Sequence, residues 1–401
     1  MSSRVSSALL PVALGSAVAV GVFSYLQLRK SGEQNIAAED VASPAVVEQP
    51  ASRTPMKRAA TEPASINRSR SRPPLDPMPD WYAIPDSLLS EFAAGNVLIF
   101  VGAGFSIPAG FPGWKSLLLA VAELGHEEGA ISTELKGIVE RLLQANAPAA
   151  HELDAAAQLL DDAVDDETTP IQFELVEMLK RCLVPRVFPL PVVMERRLEI
   201  LRELPCKAIL STNYNPLLRG VTPFDERAPS VYRSVLRSDV EVIAGDHPHA
   251  VAASDEHGLH YVSIPRPVVQ IHGNLTNSQS VVLSREGYRR LLFACPNYMT
   301  FIRSCFATRT ILFVGFSFSD AYINELRSEV ASLCGTDGPP LAYAIMNDVS
   351  QIECKFRLEH EGTRVITWDT KAPEGWGGFE RIWAELRDKL RAAAAARKGN
   401  S

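Results

Sequence analysis

Val97 to Val101, VLIFV, is an unbroken run of β-branched, leucine and aromatic residues, a pattern that predicts a strand buried on both faces. Short apolar runs at Lys207–Ser211, Val268–Ile271, Thr310–Gly315, Leu341–Met346 and Arg364–Trp368 predict the other core strands. Helical periodicity separates several of them, so the chain reads as an α/β protein with a Rossmann-like, doubly wound parallel sheet. Trp81 to Ala94 predicts a first helix, with Pro85 near its start and Leu88, Leu89 and Phe92 on one face. Apolar spacings of three and four at Leu117–Leu124, Leu135–Leu143, Leu153–Ala163 and Phe173–Leu183 predict a helical insertion at about 115–205. Glu374 to Ala396 predicts a closing helix that fades into an alanine-rich tail.

Between the second and third core strands the pattern lapses, and the stretch reads as a long irregular, mobile loop. Its four histidines, His247, His249, His257 and His260, invite a metal reading. Pro248 and the acidic and glycine neighbours favour a loop instead. At the other end of the chain, Ala8 to Leu28 are 21 residues without a charge, between Arg4 and the pair Arg29 and Lys30. That length suits a membrane-spanning helix, a single-pass N-terminal anchor within residues 1–30. A cleaved signal or a mitochondrial targeting segment is the alternative. Residues 31–80, rich in Ala, Ser, Pro and Arg and without a period, read as a disordered linker ahead of a folded domain at 81–396.

A chain of 401 residues is long enough for a sizeable core, and its formal charge of −7 argues against a general nucleic-acid binder. Six scattered cysteines are too few for a disulfide framework and imply reduced thiols in a reducing compartment. No close Cys pairs occur, so no zinc site is expected. The acidic run Asp161, Asp162, Asp165, Asp166 and Glu167 lacks calcium-loop spacing and reads as a solvated loop.

Chemistry concentrates after the strands. Gly102, Ala103 and Gly104 lack the bulk that would hold backbone amides away from a ligand, and Ser106 adds a hydroxyl. The group is either a phosphate cradle or a tight strand-to-helix turn. Asn213 can orient a water or a sugar hydroxyl through its amide. His272, near neutrality in its unperturbed pKa, can accept a proton, although a strand-end histidine is also a common structural residue. Gly315 and Ser317 offer backbone and hydroxyl contacts or merely end a strand, and Asp320 can order the same loop.

Four segments in order, Gly102-Ala-Gly-Phe-Ser106 with its continuation to Trp114, Ser211-Thr-Asn-Tyr-Asn215, Gln270-Ile-His-Gly-Asn274 and Phe313 to Asp320, resemble the sirtuin-like NAD-consuming domains. The match covers roughly residues 85 to 370 and lies closest to the branch without a zinc ribbon. The resemblance implies an NAD hydrolase releasing nicotinamide and ADP-ribose, regulated by homo-oligomeric assembly. In that reading Asn213 and His272 are catalytic, and Gly102, Ala103, Gly104, Ser106, Asn215, Gly315, Ser317 and Asp320 contact NAD. The family usually has a carboxylate where this chain has Asn215. That departure leaves open a noncatalytic NAD sensor or scaffold, and the missing Cys pairs disfavour a protein deacylase or ADP-ribosyltransferase.

Overall fold

The computed structural model describes residues 80–164, 175–183, 189–237, 249–255, 258–336 and 338–399. At its centre lies β1 (Val97–Val101), buried at every position. Its side chains alternate between two cores: Val97, Ile99 and Val101 enter one, and Leu98 and Phe100 the other. Full burial of each such side chain contributes about 1.5–3 kcal/mol, which is why the run tolerates no polar interruption.

Six strands form the main sheet. β1 pairs with β2 (Ala208–Ser211) on one side and β7 (Thr310–Val314) on the other. β6 (Val268–Gln270) lies outside β2, and β8 (Ala342–Asn347) and β9 (Thr363–Trp368) follow β7. Every neighbouring pair is parallel. Counting these six in chain order gives the arrangement 3-2-1-4-5-6 of a Rossmann-like sheet. The winding reverses between β1 and β7, and the crevice beyond the carboxyl ends of those strands is where open α/β sheets take their ligands.

Helices cover both faces. α1 (Asp86–Ala93), α2 (Trp114–Glu127), α3 (Thr133–Leu142), α4 (Ala150–Val164), α5 (Leu175–Cys182) and α6 (Val192–Glu203) contribute to the first core. α7 (Ala228–Leu236), α8 (Arg285–Ala294), α9 (Pro296–Thr308) and α10 (Ala321–Cys334) build the second. α11 (Gln351–Glu361) covers Val365 with Cys354. α12 (Gly377–Gly399) closes the first face through Phe379, Ile382, Trp383, Leu386 and Leu390. α2 to α6 all lie between β1 and β2 in sequence, and α4 reaches across to α8 and α10.

Two expectations are corrected. The stretch after β2 is not an irregular loop: it contains α7 and an antiparallel sheet of β3 (Leu218–Arg219), β4 (Ala250–Asp255) and β5 (Gly258–Ser263). β4 escapes notice because its buried residues are mostly alanines, which carry little strand signal. The two described histidines of this stretch, His249 and His260, do not join a metal-binding group. His249 is buried and its Nδ1 accepts the Val268 N–H at 3.2 Å, His260 sits 3.5 Å from Asp255, and His247 and His257 lie outside the described residues. The second correction concerns the membrane anchor. Among the described residues no helix is long and apolar enough to cross a membrane, and the segment 8–28 that suggested one lies outside them. The longest described helix, α12, carries Glu380, Arg381, Glu385 and Arg387 in its first half.

Candidate active site at the switch point

The sheet register sets the site. Val101 pairs with Ser211 and Val314, and Ser211 pairs with Gln270, so the loops after β1, β2, β6 and β7 leave the sheet at one height. Asn213 and His272 each lie two residues past a paired position, on adjacent strands, and are 8% and 7% exposed.

The loop after β1 is held by backbone packing. Gly102 N–H donates to Val314 O at 3.0 Å, and Gly104 N–H donates to Gly315 O at 2.8 Å. A Cβ on Gly102 would lie 2.5 Å from Gly315 O, and one on Gly315 would lie 2.1 Å from the Phe105 nitrogen. Gly315 also has φ of 62°, open to glycine at little cost. Gly102 is therefore demanded by the Gly315–Phe316 backbone and Gly315 by the Gly104–Phe105 backbone, before any ligand is considered. The chain then makes a short 3-10 helix over Ala103–Ala109, and α2 starts only at Trp114.

Side chains from β2 secure the same loop. Asn213 Nδ2 donates to Gly102 O at 3.1 Å. Ser106 is fully buried, its hydroxyl donating to Ala103 O and accepting from Asn215 Nδ2 at 2.8 Å. Asn215 Oδ1 accepts the Leu217 N–H at 3.3 Å. The amide of Asn215 thus donates at one end and accepts at the other, which a carboxylate in the same place cannot do.

A second group forms around His272. Its Nε2 lies 2.7 Å from the Tyr288 hydroxyl and 3.3 Å from Asp320 Oδ2, and the Tyr288 hydroxyl lies 2.8 Å from that same Oδ2. A carboxylate only accepts, so the single Tyr288 hydrogen fills the gap to Asp320. Hydrogen-bond accounting then puts a hydrogen on Nε2, directed at the Tyr288 oxygen, and leaves the lone pair on Nδ1. Burial pushes the His272 pKa below its usual 6.5, with the Asp320 carboxylate opposing. Burial first, then Asp320, raises Tyr288 well above the usual phenol value, so it keeps its proton.

Asp320 reaches this position through an irregular turn. Phe318 takes the left-handed conformation at φ 57° and packs against Phe313 and Phe316, with the Arg327 guanidinium 4.4 Å from its ring centre. Asp320 then caps α10 by accepting the Ile323 N–H through Oδ1, which leaves Oδ2 for the pair beside it.

Around these groups runs a row of rings. Trp114, Tyr214, His272, Tyr288 and Tyr322 have successive centroid separations of 6.4, 6.5, 5.3 and 4.9 Å. Asp154 of α4 faces the same region: burial and the Asp320 carboxylate raise its pKa.

The structure therefore brings Gly102, Ala103, Gly104, Ser106, Asn213, Asn215 and Gly315 into one hydrogen-bonded loop assembly, and joins Asp320 to His272. Ser317 stands apart, exposed, with its hydroxyl 2.7 Å from that of Ser319. Sequence reasoning missed Tyr288 and Asp154. Neither belongs to a strand-end motif, and only the docking of α8 and α4 brings them in. Among the described residues no group of three or more His, Cys, Asp or Glu is placed to hold a metal ion.

Residues 207–366 match the SIR2-like domain family. The chain is similar to the NAD(+) hydrolase ThsA of Cytobacillus dafuensis, 21% identical over 287 residues, 71% of this chain and 48% of that protein. It is also similar to the NAD(+) hydrolase ThsA of Acinetobacter baumannii (strain 532279), 21% identical over 245 residues, 61% of this chain and 41% of that protein. The chain thus spans about half the length, or less, of these curated relatives. The family match spans β2, β6, β7 and β8 and takes in Asn213, His272 and Asp320, within a sheet of Rossmann-like strand order.

Proposed function

We propose that this protein hydrolyses NAD to nicotinamide and ADP-ribose. The observation that carries the reading is a buried, neutral His272 tied to Tyr288 and Asp320, level with Asn213, beside the glycine loop at the switch point. The relatives' names as NAD(+) hydrolases support the same reading.

The reaction asks little covalent chemistry of the protein. The bond from the nicotinamide nitrogen to the ribose carbon breaks, and its electron pair leaves with nicotinamide, cancelling the positive charge on the ring. The oxocarbenium-like carbon takes a water oxygen, and the water loses one proton. Asn213 is suited to orient the water or a ribose hydroxyl, because its amide is fixed by Gly102 O. His272 Nδ1 supplies the lone pair that receives the proton, and Tyr288 and Asp320 hold the ring and stabilise the imidazolium that results. Gly102, Ala103, Gly104, Ser106, Asn215 and Gly315 would line the dinucleotide side.

Nicotinamide release from NAD by the full chain, followed by chromatography, tests the proposal. Release in excess of one equivalent per protein supports it. NAD bound with no release would leave a sensor. That alternative takes its motive from Asn215, whose bonds to Ser106 and Leu217 support a loop built to hold an amide at this position. Self-association belongs to the same reading, and a concentration-independent monomer by light scattering, with and without NAD, would remove it.

A further inference from the structure

α6 buries Met194, Arg197, Leu198 and Leu201, the spacing of a core-facing stripe, and one member of that stripe is an arginine only 7% exposed. A buried guanidinium is strongly unfavourable unless every face of it is answered. Here it is. Nε donates to Glu380 Oε1 at 2.9 Å, Nη2 pairs with the same carboxylate, and Nη1 donates to Phe105 O at 2.8 Å and Gly104 O at 3.3 Å. The guanidinium lies 4.3 Å from the Phe379 ring centre, and the Arg197 carbonyl accepts Trp383 Nε1–H at 3.2 Å. The loop that Asn213 and Asn215 secure from the β2 side is thus gripped from the opposite side by a cation whose other half is fixed to α12.

We propose that Arg197, held in place by Glu380, is the positioning residue of the glycine loop, setting the Gly104 and Phe105 carbonyls so that the turn after β1 keeps the shape that receives the dinucleotide. The proposal rests on the NAD reading for its ligand but not for its geometry. A purely structural pair joining α6 to α12 would stabilise the whole domain and leave the loop's own behaviour unchanged. A positioning residue changes the loop first.

Arg197→Lys keeps the charge but loses the forked donor geometry, and Glu380→Gln keeps the shape while weakening the grip. Both are made in the full chain. NAD affinity is measured by calorimetry, amide hydrogen exchange is compared between 102–113 and 208–215, and nicotinamide release is followed at saturating NAD. The expected result for Arg197→Lys is an NAD dissociation constant raised about tenfold, faster exchange confined to 102–113, and turnover at saturation within about threefold. Glu380→Gln should show the same pattern more weakly, which keeps the test open if Arg197→Lys folds poorly. Unchanged affinity and unchanged loop exchange in both variants would overturn the proposal, and so would faster exchange spread evenly over the sheet. Wild-type protein that binds no NAD would sink the dinucleotide reading, and loop exchange alone would then decide whether Arg197 positions the loop.

Discussion

The loops after β1 and β6 flank the loop after β2 at the carboxyl edge of the sheet and are held by different means. The first is fixed by main chain against main chain: Gly102 and Gly104 lie against Gly315 with no room for a Cβ at 102 or 315. The second delivers one side chain, His272, and fixes it by a hydrogen bond to Tyr288, whose own hydroxyl donates to Asp320. Damage to the first should therefore remove shape, and with it binding and stability together. Damage to the second should remove chemistry while the fold survives.

The largest effect is expected at Gly315. Gly315→Val forces a branched side chain into a left-handed position with its Cβ 2.1 Å from the Phe105 nitrogen. We expect a loss of about 4 kcal/mol or more in unfolding free energy, with NAD binding lost alongside. A variant that melts like wild type would break the comparison at its first term.

Asn213 belongs to both regions, since it braces Gly102 O from the strand that neighbours β6. Asn213→Ala should lower turnover by about 10²-fold with NAD affinity changed far less. Combined with His272→Ala, its effect should fall well short of the product of the two, because residues acting as one unit are not additive. Multiplicative losses would mean that the two work in separate steps.

Tyr288→Phe sharpens the second region. It removes the oxygen facing Nε2 and leaves Asp320 Oδ2 as the remaining acceptor, at 3.3 Å. Turnover should fall about tenfold. The sign of its pH dependence is also set. Burial depresses the His272 pKa from 6.5, so in wild type kcat/KM stays level to below pH 6.5 and falls only as the ring gains its proton. With Tyr288 gone the carboxylate favours the imidazolium more directly, and the acid limb should move to higher pH. The unfolded chain binds that proton more readily than the folded one, so His272 leaves stability unaffected above about pH 6.5 and lowers it on further acidification. An acid limb in Tyr288→Phe that stays put or moves lower would remove His272 as the titrating base.

The smallest effect is expected at Asn215. Asn215→Asp must turn the Ser106 hydroxyl away from Ala103 O to meet the carboxylate, and it places a charge where exposure is 5%. Activity should fall a few-fold. A gain would mean that the family's usual carboxylate does work here that the amide cannot.

What the sequence disclosed follows from how each element is buried. β1, β2, β6, β7, β8 and β9 lie in a sheet covered on both faces, so they read as continuous apolar runs, and each was expected within a residue or two of its bounds. β4 and β5 belong to a small three-stranded antiparallel sheet whose edge strand β5 is largely exposed, and Ala-Val-Ala-Ala-Ser-Asp has neither the run nor the alternation that signals a strand. The site divides the same way. Glycines and amides within a few residues of a strand end were legible because the sheet fixes their height. Tyr288 was not, because it reaches His272 from 16 residues along the chain through the docking of α8, whose start is set by the Ser284 cap on Gly287 N–H. Arg197 was hidden for a related reason: an arginine in an amphipathic helix reads as its solvent face until Glu380 appears beside it.

The central claim is that His272 performs the proton transfer in a site whose shape is kept by other residues, and His272→Ala tests it most directly. Nicotinamide release and NAD affinity are measured on the same preparation of the full chain. The account predicts a turnover lowered by about 10²- to 10⁴-fold with the NAD dissociation constant within about threefold of wild type. Turnover equal to wild type, or a loss of binding as large as the loss of turnover, would contradict it.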